Sequence, residues 1–455
     1  VTQALTLPSA YQLFTPHFAQ NQQAYYAHMR ENCGPVAPVE IAPGVFGHLV
    51  IGWWAALDLL RDTTTWTKDP TTWAQSMPQD SPVLGMLGPR PNPLFTDGPV
   101  QQRYRRVIND CFSLVEPHHL RDLVREVADG LIDQFAGTGK VDLISGFSRP
   151  LPSYVFNRLF GQPDADAPRL VAALAGLMEG EEGAARATAE FEQYMGRLIG
   201  AKTVLRGQDL TSWIMDHPEQ LTQEEVLHNI VLAVGAGQEP TTNLIANTLA
   251  LMLSDASYYT DVSNGALATE HAVARILRDR PPMANYGAHY ARRDVTFHGT
   301  TIPAQTLVLV SFAAANGDPA GPGADQPSGA GAHLAWSAGP HACPVRRDAL
   351  LIATTAIEQL IRRCTDLELA VSPDQLEARI GPFHLAYAHL PARFTPMKTT
   401  RKAGTPAWPG NPFTSSTRPA ATSPQKPPTF ANSATSSWSS CPAGYAPGPP
   451  PATGS

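Results

Sequence analysis

Cysteine is scarce in this chain: five in 455 residues, at 33, 111, 343, 364 and 441, with no CxxC pair. That scarcity argues for a reduced, cytoplasmic protein in which disulfides are not expected. Charge is thin as well. Asp, Glu, Lys and Arg make up 16%, with 33 cations against 40 anions and a net charge of −7. This balance speaks against a nucleic-acid surface spread over the molecule and leaves small molecules or proteins as partners. Long apolar runs are missing: the longest, from His48 to Leu60, is broken by Asp58 and too short to span a bilayer. The opening VTQALTLPSAY has no basic segment ahead of an apolar one, so neither a membrane span nor a signal peptide is expected. Phosphate-loop chemistry lacks its residues too. GTGK at 137–140 has no earlier glycine and no following Ser or Thr, and no helix with a ribose-binding acid follows the GxG pairs near 321 and 329.

What is present is helical periodicity. After Cys343, the residues Leu350, Thr354, Ile357, Ile361 and Cys364 recur at the spacing of one buried helical face, with Pro344 where a first helical turn tolerates it. Cys343 is thereby placed at a helix N-terminus, where unpaired N–H groups and the helix dipole favour a thiolate, a soft ligand suited to haem iron. A capping box, Thr222 with Glu225, opens a long helix through residue 255 that must cross the core. Gly235, Gly237 and Pro240 predict a local opening between Ala236 and Pro240. Residues 11–46 read as a helix followed by an extended segment, and 48–54 as a strand ahead of a helix. Residues 118–215 are mostly helical by pattern, including LVAALAGLMEG at 170–180. Asp97-Gly-Pro99 opens a helix with Tyr104, Val107, Ile108 and Cys111 on its apolar face and three arginines on the other. The Pro- and Gly-rich residues 70–96 read as an irregular loop that lids a ligand. From Lys398 to Ser455 the chain holds 12 of the 43 prolines and no acid, so 398–455 reads as a disordered basic tail behind a domain at 1–397.

The loop WSAGPHAC, with Trp336, Gly339 and Cys343, closely resembles the haem-binding loop of cytochromes P450, in their soluble bacterial class. The resemblance implies a mainly α fold, a large helical domain with a small β-rich part. It implies haem b held by Cys343, whose thiolate pushes electron density onto iron. It also implies a monooxygenase that inserts one atom of O2 into a small organic substrate, using electrons from ferredoxin and ferredoxin reductase. Arg103, Arg106, Arg346, Arg347 and Arg362 are then expected to form a basic face for that acidic carrier.

By the same resemblance, Ala236, Gly237 and Glu239 fall on the oxygen-binding groove. Glu239 is the proton-relaying acid, and Thr241, Thr242 or a water in the groove stands in for the alcohol that Pro240 replaces. Arg105, His341 and the positions now holding Gln101 and His289 fall where haem propionates are bound. Departures are specific: Val345 replaces a glycine, Gln101 a histidine, and Arg275 the glutamate of the family's E-x-x-R, with Arg278 as its arginine and Glu270 or Asp279 as compensating partners. The F-x-x-R before the loop is absent. These departures keep open a haem-binding relative with a regulatory role, and a zinc site of His333, His341, Cys343 and Cys364 is the remaining rival.

Overall fold

The computed structural model describes residues 10–78, 81, 83–163, 184–265, 268–322 and 331–397. The expectations for the tail at 398–455, for the helix at 170–180 and for part of the stretch from 321 to 331 lie outside those residues.

In chain order the strands are β1 (Tyr11–Gln12), β2 (Val36–Ala42), β3 (Val45–Val50), β4 (Trp66–Thr67), β5 (Lys140–Asp142), β6 (Asn285–Ala291), β7 (Val295–Phe297), β8 (Thr300–Ile302), β9 (Leu307–Ser311), β10 (Glu368–Leu369) and β11 (Pro391–Arg393). The helices are α1 (Pro16–Cys33), α2 (Trp53–Arg61), α3 (Thr71–Ala74), α4 (Leu84–Leu87), α5 (Gly98–Ser113), α6 (Pro117–Phe135), α7 (Pro150–Leu159), α8 (Ala184–Val204), α9 (Leu210–Met215), α10 (Gln223–Ser254), α11 (Ala256–Ser263), α12 (Thr269–Asp279), α13 (Phe312–Asn316) and α14 (Arg346–Arg363). The fold is mainly α, as expected, with the β-rich part gathered in a sheet of order β1-β2-β3-β9-β6-β4 and a smaller one of order β10-β11-β5.

Three clusters of apolar packing result among the described residues. One joins α6, α7, α10, α12 and α14 through Val124, Leu131, Tyr154, Ile245, Ile276 and Ile357; the others line the sheet. The long helix α10 runs against α7, α8, α12 and α14, and at 1.5 Å per residue it is roughly 48 Å long. Its start is the predicted capping box: Glu225 N–H donates to Thr222 Oγ1, and Thr222 N–H donates to the Glu225 carboxylate. Helix α14 is clamped to α6 by Arg363, which reaches Asp129 at 2.7 Å and Asp133 at 2.8 Å.

Four local expectations are corrected. Helix α10 continues through Pro240 without a break, because buried neighbours grip it on both sides: a Cβ on Gly237 would sit 2.6 Å from Phe156 Cζ, and residues 241–250 are all buried. Residues 70–96 are not wholly irregular, since α3 and α4 form within them around buried Trp73 and Leu87. Helix α14 starts at Arg346, so Pro344 precedes the helix instead of occupying its first turn. Cys33 is disulfide-bonded, whereas Cys111, Cys343 and Cys364 are free. Sequence spacing could not reveal that bond, because pairing depends on which thiols the fold brings together.

The departure from E-x-x-R is resolved by turning Arg275 outward. Its guanidinium lies 3.5 Å from Asp279 and over the Tyr258 ring at 5.9 Å, while Arg278 stays inside, its side chain 13% exposed. Of the two compensating acids expected, Asp279 is the partner. Arg275→Glu should therefore destabilise: it removes both contacts and sets an acid one turn from Asp279. Thermal unfolding should show a Tm lower by about 1–2 °C, and a raised Tm would mean that the outward pair contributes nothing.

Candidate haem site

Cys343 stands on the loop between the turn at Gly339–His341 and α14, its N–H donating to Trp336 O at 2.8 Å. Trp336 thus closes the loop through its backbone. Gly339 is required by the protein's own packing. It has φ 68°, and a Cβ there would lie 2.2 Å from Leu60 O at the end of α2. Val345, where the resemblance expects glycine, has φ −111° and makes no such demand. Burial pushes the Cys343 thiol up, while the Val345 N–H and the Arg105 charge pull the other way. The expected lowering by the helix terminus does not prevail in the protein alone, because the thiol sits before the helix and is desolvated.

Helix α5 supplies the next layer. Gln101 and Arg105, one turn apart, reach the cysteine loop: Gln101 donates to Pro340 O at 3.0 Å and Arg105 donates to Ala342 O. Burial lowers the Arg105 pKa, and the charge of Cys343 opposes that lowering. Asp97, just ahead of α5, does not cap the helix. Its carboxylate instead accepts from Lys68 N–H at 2.9 Å and Arg292 at 3.3 Å, and faces His341 Nε2 at 3.5 Å. Burial alone would raise the pKa of Asp97, but His341, Thr67 and the Lys68 N–H outweigh it and hold the carboxyl below its ordinary range. His341 also bonds Pro93 O at 3.1 Å, and burial lowers its pKa. His289, 4% exposed and bonded to Gly287 O at 2.6 Å, is kept well below its usual value by burial and by nearby Lys68.

Cationic and donor groups from α5, β6, the residue after β4 and the cysteine loop thus lie in one neighbourhood, with Asp97 accepting from Thr67, the Lys68 N–H and Arg292 and facing His341. A free thiol flanked by Arg105, Lys68 and hydrogen-bond donors fits a thiolate-ligated, doubly carboxylated porphyrin. Sequence reasoning brought together Cys343, Arg105, Gln101, His341 and His289, and the structure places them in one neighbourhood. It missed Lys68 and Asp97. The clue for Lys68 was a lysine inside the strand-like run WTKDP, which a solvent-facing strand end explains equally well.

On α10 the candidates separate. Ala236 is exposed although it lies midway along a mostly buried helix, and Pro240 is one turn further on the same face. Gly237 packs against Phe156. Glu239 is 6% exposed and paired with Arg379, with Asn243 Nδ2 donating to it at 3.0 Å. Burial would raise its pKa, yet Arg379 and His384 outweigh that and bring it below the ordinary carboxylate value. Thr241 is buried, two residues from Glu239 and so about 200° round an unbroken helix, on the other side. Thr242 accepts from Gln238 Nε2 at 3.3 Å. Arg379 and His384, 3.0 Å apart, were not foreseen, since they lie some 140 residues beyond their partner in an irregular segment. The zinc alternative fails: no metal-binding cluster exists among the described residues, and Cys364 caps the far end of α14.

No family model matches the chain. It is 31% identical over 399 residues, 85% of this chain and 94% of the relative, to cytochrome P450 monooxygenase PikC of Streptomyces venezuelae. The chain belongs to the cytochrome P450 family. Cytochrome P450 107B1 of Saccharopolyspora erythraea is 29% identical over 84% of this chain and 96% of its own length. CYP154C4 of Streptomyces sp. ATCC 11861 superimposes with a TM-score of 0.77 at 27% identity, covering 85% of this chain and 99% of that one. This P450 is accordingly an oxidoreductase of the monooxygenase type with haem as cofactor. Among its described residues no helix is long and apolar enough to cross a membrane.

Proposed function

We propose that this P450 inserts one oxygen atom of O2 into a small organic substrate, with ferredoxin and ferredoxin reductase delivering the electrons. The observation that carries this reading is the pairing of an exposed mid-helix residue, Ala236, with a buried ionised acid, Glu239, three positions on. Haem, when bound through Cys343, supplies the activation of O2. The chain's own residues must then hold substrate in a water-poor cleft and move protons to it. Glu239 is the acid for that task, held ionised between Arg379 and Asn243 so that it can receive a proton and pass it on. Pro240 contributes by omission: without its N–H, the Ala236 carbonyl is left to accept from a water on the exposed face.

The carrier face is narrower than the arginines suggested. Arg103 and Arg106 are paired with Glu225 at 2.8 Å and Glu219 at 2.6 Å, whereas Arg346, Arg347 and Arg362 are exposed. Those three are the cations offered to an acidic ferredoxin.

The reading is tested with Pro240→Thr. Restoring a hydroxyl next to Glu239 should raise the share of NADPH electrons recovered as product, over a panel of small organic substrates, by roughly twofold to tenfold, with less hydrogen peroxide released. Thermal stability should rise as well, since an interior helical proline costs up to about 3 kcal/mol. A stabilised variant with unchanged partition between product and peroxide would remove this face of α10 from the chemistry.

A further inference from the structure

Lys68 is a buried cation without a partner. It is 4% exposed, and its ammonium makes no hydrogen bond or ion pair among the described residues; only its backbone N–H is engaged, by Asp97. Its position is fixed by the sheet. In the antiparallel pairing of β4 with β6, Trp66 faces Ala291 and Thr67 faces Tyr290, so the next residue on each strand brings Lys68 beside His289. The charge of Lys68 is felt by both His289 and His341, and Asp97 is the acid that feels it in return. Asp97 is already occupied by the Lys68 N–H, Thr67, Arg292 and His341. Burial without a contact partner is costly for an ammonium and pulls the Lys68 pKa down to about 7, and an anion placed against it would favour the charged form.

The chain is short of cations at this place. Gln101 is neutral, and, histidines apart, the basic side chains around Asp97 and the cysteine loop are Lys68, Arg105 and Arg292. Arg105 is turned to Ala342 O, and Arg292 to Asp97 and Trp66 O. We propose that Lys68 is the residue through which this chain binds a haem propionate, taking over the charge that Gln101 does not carry. The proposal rests on haem ligation by Cys343 and adds to it a specific anion-binding residue, delivered from the strand end and not from α5.

The test uses the full-length holoprotein loaded either with haem or, by exchange, with haem dimethyl ester, in which both propionates are neutral. Haem release to excess apomyoglobin is followed by absorbance for the parent, Lys68→Met and Lys68→Arg. If Lys68 holds a propionate, Lys68→Met releases haem about tenfold faster than the parent, releases the diester at the parental rate, and Lys68→Arg restores most of the difference. Equal acceleration for both porphyrins, or for neither, overturns the proposal. Failure of the underlying reading looks different: the parent itself would then lack the carbon monoxide band of a thiolate-ligated haem, and the Lys68 assignment would fall with it.

Discussion

Replacing Cys343 with serine is expected to abolish the carbon monoxide difference band of a thiolate-ligated haem and to lower haem retention by at least about tenfold, with product formation lost in proportion. A serine hydroxyl is nearly isosteric, so the fold should survive. Neither the Cys343 N–H to Trp336 O bond nor the Gly339 contact with Leu60 involves the sulfur. What is lost is a soft, anionic ligand, and a neutral hard oxygen cannot replace its electron donation. Cys111 and Cys364 are the controls. Both are free and buried, and burial pushes each thiol up to about 12, opposed only in part by Arg363 at Cys364. Serine at either control position should leave the band in place while costing stability, because it buries a hydroxyl in apolar surroundings. A band that persists in Cys343→Ser would remove the cysteine loop from the site.

What could be read from the chain follows from the range of the interactions. The helix after Cys343, the capping box at Thr222 and the apolar face of α5 are set by residues within a turn or two of each other, and each appears where periodicity places it. The cysteine loop was legible through its resemblance to the haem-binding loop of P450s, and its Gly339 and Cys343 are held by contacts with one helix end and within a few residues. The buried pair of Glu239 and Arg379 was not, since nothing near Arg379 in sequence distinguishes it from a solvated arginine. Lys68 was missed for a related reason: its burial is a property of the β4–β6 register and of Asp97, not of its neighbours in the chain. Pro240 shows local rules failing in the other direction. Propensity predicts an opening of α10, but packing on both sides of the proline holds the helix together.

The second large effect is expected at Glu239. Glutamine there keeps the shape and can still accept a hydrogen bond from Arg379, but it neither binds nor gives up a proton near neutral pH. Product formation should fall by about 10²-fold, with NADPH consumption falling much less as electrons leave as peroxide. The same change strips a counter-charge from Arg379, whose side chain is 17% exposed against 7% for Glu239, and breaking a buried pair from one side costs about 3–5 kcal/mol. Loss of activity by that route would say nothing about proton transfer. The double variant Glu239→Gln with Arg379→Gln separates the two, because neutralising both partners removes the uncompensated charge. Stability should return towards the parent while product formation stays low. The pair also predicts a pH dependence: the pKa of Glu239 is lowered in the folded protein, so its stabilisation is complete above the unfolded carboxylate value of roughly 4.3 and is lost as pH falls through the lower folded value. Acid unfolding of the parent should therefore be steeper than that of the double variant. Should the double variant recover turnover together with stability, Glu239 serves only to hold Arg379, and a haem-binding relative without its own proton relay becomes the better account of this chain.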